Sequence, residues 1–216
     1  MSAAEAQGGG DDVSASRSDV QLIQEALRNE TASPELLPHC EPLVRRLQEK
    51  LELAEQAIEE MQDKEEENVL RRSLLELEVQ RISYALRGYL RRRLGKIERM
   101  VMHLLKDENE RARMTDAEAA FAKEYFRLWG GHMRDNVLGH LPEAFRGITR
   151  QTASSEADDM VPRPDLSAYV CARAHQDVTI HVGDLETATL KAGGTAHMVP
   201  YASVKAHVES GAVFLE

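Results

Sequence analysis

The sequence predicts a mainly α protein with a small β domain: an N-terminal helical bundle of long antiparallel helices, followed by a C-terminal small β-rich domain. Three features carry this. Apolar residues recur at steps of three and four through most of residues 20–105, the period of one helix face. The stretch GITRQTASSEADDMVPRP, from Gly147, is polar, lacks periodicity and holds two prolines. Beyond it the chain turns to short alternating runs rich in β-branched residues. The expected organisation is a disordered tail over 1–17, a helical bundle over 18–146, a linker over 147–164 and a β-rich domain over 165–216.

In chain order, the first helix is capped by Asp19, and Val20, Ile23 and Leu27 share its face. Pro34 and Pro38 in NETASPELLPH end it. A long helix follows with Pro42 in its first turn and a seam of Leu43, Leu47, Leu51, Ala54, Ile58 and Met61. The charge run DKEEEN, residues 63–68, marks a solvated turn. Periodicity resumes at Leu70 and runs to Leu105, so these two helices fold back as an antiparallel hairpin. Gly88 or Gly95 within the second is expected to mark a close approach, because each glycine costs a helix about 1 kcal/mol. The next helix opens on a capping box, Thr115 with Glu118, places Phe121, Tyr125, Leu128 and Trp129 on one face, and ends near Leu141-Pro142. AYVCARA, DVTIHV, ATLK, AHMV and SGAVFLE then read as strands, with a short helix over 202–209.

The chain has 216 residues and a formal net charge of −10, which opposes non-specific DNA binding by the molecule as a whole. Its two cysteines, Cys40 and Cys171, stand in no metal-ligand spacing and read as reduced thiols. The N-terminus has the pattern of neither a signal nor a transit peptide, and no apolar run is long enough to span a bilayer. There is no P-loop, no GxGxxG after a strand, no HExxH and no GxSxG. The histidines are scattered and the carboxylate runs lie on exposed helix faces. No enzyme activity, cofactor or metal is therefore expected.

Against the acidic whole, RISYALRGYLRRRLGKIERM (81–100) holds seven Lys or Arg residues and a single acid, Glu98. At 100° per residue, Arg81, Arg92, Lys96 and Arg99 fall away from the leucines and Arg87 and Arg91 on a flank. Arg93 falls among Ile82, Leu86, Tyr89 and Ile97. A guanidinium on that apolar side needs a carboxylate or backbone carbonyls. Segment 41–78, with twelve acidic and six basic residues, is the expected source of partners within the chain. An interface with another protein ranks equal to that reading, and binding to the DNA backbone ranks below both.

The same string resembles the signature helix of a GINS replication-complex subunit of the SLD-five type (GINS subunit four), through Arg81, Tyr84, Tyr89, Leu90, Arg91, Arg93, Leu94, Lys96, Ile97 and Glu98. NETASPELL resembles the segment before that family's second helix. TDAEAAFAKEY resembles a later helix start, through Thr115, Glu118, Phe121, Ala122, Lys123 and Glu124. VPRPDLSAYV, with Pro164, Asp165, Leu166 and Tyr169, resembles the opening of the small β domain, and SGAVFLE its end. The loop 106–114 and residues 147–160 match nothing in the family pattern, and Pro200 stands where a basic residue is expected. The resemblance implies a nuclear, non-catalytic subunit of a heterotetramer with three sister subunits. Its implied partners are the MCM helicase and its RecJ-like partner factor and, indirectly, the leading-strand polymerase. It also implies structural or interface roles for Arg81, Tyr84, Tyr89, Arg91, Arg93, Lys96, Glu98, Phe121, Lys123, Pro164, Asp165, Leu166 and Tyr169. The alternative is a direct DNA-binding protein using residues 81–99. An enzyme with an unrecognised site ranks last.

Overall fold

A computed structural model describes residues 17–61, 66–154, 159–182 and 186–216. Helix α1 (Asp19–Ala32) starts on a capping box, but the cap is Ser18 and not Asp19. The Ser18 hydroxyl accepts the Gln21 N–H and the Gln21 side chain accepts the Ser18 N–H. Asp19 is instead the first helical residue, and its carboxylate meets Arg46 and Lys50. Helix α2 (Glu41–Glu60) carries proline in its first turn as expected. Helix α3 (Glu66–Lys106) is 41 residues long, with one non-helical residue, Met100 (φ −119°, ψ 25°). It begins four residues before Leu70, so its start lies inside the charge run read as a turn. The rest of that turn, and the tail apart from Arg17, fall outside the described residues.

A short helix, α4 (Glu108–Arg111), precedes α5 (Asp116–Asn136), whose capping box is formed as predicted by Thr115 and Glu118. Helix α5 stops at Asn136, five residues before Leu141. Asn136, Val137 and Gly139 are weak helix formers, and the Asn136 amide donates to the His132 carbonyl one turn back. Two 3₁₀ turns, Leu138–His140 and Glu143–Phe145, follow.

The strands are β1 (Tyr169–Ala174), β2 (Val178–Val182), β3 (Glu186–Leu190), β4 (His197–Pro200) and β5 (Val213–Leu215). β1 is central in a three-stranded antiparallel sheet ordered β4-β1-β5, with Tyr169 opposite Pro200 and Ala174 opposite Val213. β2 and β3 form a separate hairpin, Val178 opposite Leu190. Helix α6 (Tyr201–Glu209) buries Tyr201, Val204 and Val208, and Gly211 (φ 74°) supplies the left-handed residue that turns the chain into β5.

The chain forms two compact units, and both draw on α3. The first comprises residues 17–33, 40–91 and 167–216. Its helical core is Ile23, Leu43, Val44, Leu47, Ala85, Leu86 and Tyr89, which sets α2 antiparallel to the first part of α3. Gly88 is the close approach: a Cβ there would lie 3.3 Å from Leu27 Cδ2, whereas nothing lies within 4 Å at Gly95. The β domain packs on α1 in this unit. The Asn29 carboxamide oxygen accepts the Leu215 N–H (2.7 Å), which caps an edge group of β5, and the Arg28 guanidinium lies 5.4 Å above the Phe214 ring. The His175 ring stacks on Phe214, and Glu25 pairs with Arg17 and approaches His175. The second unit comprises 34–39 and 92–166, around Leu36, Ile97, Met100, Val101, Leu104, Met114 and Ala122.

Candidate functional site

The connection from α1 to α2 sets the problem that the basic helix solves. Pro34 and Pro38 keep residues 34–39 out of a helix, yet Glu35, Leu36 and Leu37 are buried, Leu36 completely. Buried carbonyls outside regular structure need donors. Three successive carbonyls receive them from three cations: Lys96 Nζ donates to Glu35 O (2.7 Å), Arg113 Nη1 to Leu36 O (3.0 Å) and Arg93 Nη1 to Leu37 O (2.6 Å).

Arg93, with 0% exposure, is the centre of this set. Its Nε and Nη2 donate to the two oxygens of Glu118 at 2.7 and 2.9 Å, and Nη2 also donates to the Arg113 carbonyl at 2.9 Å. The flat guanidinium meets the carboxylate as a two-pronged fork, which a lysine cannot copy. Glu118 does two things at once, since its Oε2 also accepts the Thr115 N–H of the capping box (3.0 Å). Burial alone would raise the Glu118 carboxyl. The Arg93 hydrogen bonds and charge, helped by the Thr115 N–H and the charge of His39, outweigh it and hold the group below the usual carboxylate range.

Two sequence expectations change here. Segment 41–78 does not supply the Glu118 carboxylate that pairs with Arg93. Glu41, Glu49, Glu52, Glu55, Glu59 and Glu60 are exposed, where water already solvates them, and Glu76 and Glu78 pair along α3 itself, with Arg72 and Arg81. Lys96 was expected on the side away from the leucines and is buried. Its Cβ leaves the helix on a flank, and its four-carbon stem carries the ammonium inward to Glu35.

The other predicted residues divide clearly. Tyr89 is buried in the first unit, and its hydroxyl accepts the Cys40 N–H (3.2 Å), a donor at the start of α2. Phe121 is half-buried beside Tyr125. Arg81, Tyr84, Arg91, Glu98, Lys123, Asp165 and Tyr169 are exposed, and Pro164 and Leu166 are half-buried. Among the described residues, the side chains of Arg91, Arg92 and Arg99 make no hydrogen bond or ion pair. Sequence reasoning missed Glu35, Arg113 and the pairing of Glu118 with Arg93. It also missed Asn29, Arg28, His175 and Phe214, for which the sequence gives no local signal. Cys40 and Cys171 are free, and no group of three His, Cys, Asp or Glu among the described residues could hold a metal ion.

So the cations at the heart of the string are turned inward, onto carbonyls and a carboxylate. Residues 23–136 match the model of the GINS complex protein helical bundle domain, Sld5. Residues 164–215 match that of the DNA replication complex GINS protein SLD5 C-terminus. The chain belongs to the SLD5 family of GINS proteins. Proteins named DNA replication complex GINS protein SLD5 are similar over most of their length. The Arabidopsis thaliana protein is 34% identical over 203 residues, 93% of this chain and 92% of its own. The human protein is 29% identical over 213 residues, 91% of this chain and 88% of its own. The Saccharomyces cerevisiae protein is 27% identical over 173 residues, 70% of this chain and 58% of its own. Arg93, Lys96, Arg113 and Glu118 all lie inside the SLD5 helical match.

Proposed function

We propose that the chain acts in DNA replication as a non-catalytic structural subunit of a GINS heterotetramer in the nucleus, required for assembly and activity of the replicative MCM helicase complex in initiation and elongation. Its helical bundle, 18–146, and its β-rich domain, 165–216, are joined by the linker 147–164. Its partners are three sister subunits, then the MCM helicase with its RecJ-like factor, and indirectly the leading-strand polymerase. The observation that supports this best is the ordered match to both SLD5 models along one chain. The inward cations agree with it, because Arg93 and Lys96 are unavailable to phosphate. The test is helicase reconstitution. Adding the purified four-subunit assembly to MCM and the RecJ-like factor is expected to raise duplex unwinding at least tenfold, and omitting this chain to abolish the gain. Equal unwinding without it would refute the proposal.

A second reading, direct DNA binding through 81–99, is favoured by the exposure of Arg91, Arg92 and Arg99. It requires binding by the isolated chain whose affinity falls steeply with log salt.

A further inference from the structure

The end of α3 presents a lysine in a setting that the buried arginine does not explain. The helix stops at Lys106, Asp107 is extended (φ −93°, ψ 124°), and α4 starts at Glu108. Lys106, Asp107 and Glu108 are exposed, while Leu105 is half-buried against the core of the second unit. The three exposed residues line an open cavity of about 410 Å³ with His103, Val161 and Arg163. A large aliphatic residue therefore stands directly before an exposed lysine, and a carboxylate stands two residues after it. Of the seven lysines in the chain, Lys106 alone has both neighbours. Lys50, Lys64 and Lys96 have the later carboxylate but follow Glu49, Asp63 and Gly95. Lys191 and Lys205 follow Leu190 and Val204 but lack the acid, and Lys123 lacks both.

We propose that Lys106 is a conjugation site for a small ubiquitin-like modifier, delivered by a conjugating enzyme that reads the aliphatic residue before the lysine and the carboxylate after it. Such an enzyme needs the lysine and the carboxylate on one side of the substrate, the first at its reactive cysteine and the second on a basic wall beside it. The backbone here supplies that. Side chains alternate across an extended residue, so Asp107 sends those of Lys106 and Glu108 to the same side. A helix continued through Asp107 would set them about 200° apart. The exposed carboxylates of Asp107 and Glu108 complement a basic wall, and the cavity leaves room for it beside the lysine. In the transfer, Lys106 Nζ attacks as the neutral amine on the thioester carbonyl of the modifier's terminal glycine. The N–C isopeptide bond forms, the C–S bond to the enzyme's cysteine breaks, and the departing thiolate is balanced by the proton released from the amine. ATP is spent earlier, in charging the modifier. Lys106 lies about 20 Å along α3 from Arg93, so the modifier can be added without opening the buried arginine set. The site falls in 106–114, where the chain departs from the family pattern, and it does not depend on the subunit reading.

The test incubates the full chain with the small ubiquitin-like modifier, its activating and conjugating enzymes and ATP. One conjugate is expected, with the isopeptide remnant on Lys106 in the peptide mass spectrum. Lys106→Arg and Glu108→Gln are each expected to slow conjugation at least tenfold. Both should keep the wild-type circular dichroism, since both side chains are exposed. The mapping on the wild-type chain decides the site even where a variant fails to fold. No conjugate on the wild-type chain, a remnant on Lys191, Lys205 or another lysine in place of Lys106, or the wild-type rate in either folded variant overturns the proposal.

Discussion

Replacing Arg93 by methionine keeps much of the apolar stem and removes the charge. Three acceptor groups then lose donors in a site where Arg93 itself has no exposure: the Glu118 carboxylate, Leu37 O and Arg113 O. Breaking a buried pair from one side costs about 3–5 kcal/mol, because the remaining charge is left desolvated. The orphaned Leu37 carbonyl adds about 1–3 kcal/mol. A domain is stable by only about 5–15 kcal/mol, so the single variant approaches the limit of folding. The pair can be separated from the carbonyls by a cycle with Glu118→Met. The double variant has no stranded charge and is expected to be more stable than Arg93→Met alone, while still weaker than wild type through Leu37 O. Arg93→Lys should recover little, since one ammonium cannot span the Glu118 fork and Leu37 O. The assay is urea unfolding followed by far-ultraviolet circular dichroism at pH 7. A loss below about 1 kcal/mol for Arg93→Met, or strict additivity in the cycle, would refute the reasoning.

Acid should act through the same carboxylate. The folded Glu118 carboxyl lies below its unfolded value, so the stability it contributes is complete above about pH 4.3 and is lost as pH falls through the folded value. Glu118→Gln is expected to flatten the fall in urea midpoint between pH 5 and pH 3, and an unchanged fall would remove Glu118 from the account. The two helix glycines should respond differently. Gly95→Ala meets open space and should stabilise by about 0.5–1 kcal/mol, whereas Gly88→Ala gains little or loses, with its Cβ 3.3 Å from Leu27. Differential scanning calorimetry reads both, and equal gains would contradict the packing. Asn29→Ala removes the cap on the Leu215 N–H and should speed hydrogen exchange at that amide about tenfold, with little change in the core of the second unit. Unchanged exchange at Leu215 would show that the contact does not hold β5.

Much of this fold was legible because its signals are local. The Thr115–Glu118 box needs three residues of context, and Pro42 marks the first turn of α2. The misfit of Arg93 also followed from helical angle alone, as did its need for a carboxylate or carbonyls. The identity of those acceptors did not follow. Glu118 lies 25 residues away and Leu37 56 residues away, and which helix faces which is decided by packing that no local pattern encodes. The more numerous acids of 41–78 therefore looked like the better source. Lys96 was misplaced for a related reason: a helical wheel gives the direction of Cβ, not the reach of a long stem. The seat of β5 on α1 depends on Asn29 and Leu215, 186 residues apart, and neither residue is distinctive on its own.

The account holds that this chain is one part of a larger assembly, and that its most basic helix is organised for protein contacts, inside and out. The most direct measurement is the native mass of the species purified after co-expression with the three sister subunits from the same source. The expected result is a single 1:1:1:1 complex that survives physiological salt, with the lone chain polydisperse. A monodisperse monomer that ignores all three partners would contradict the account.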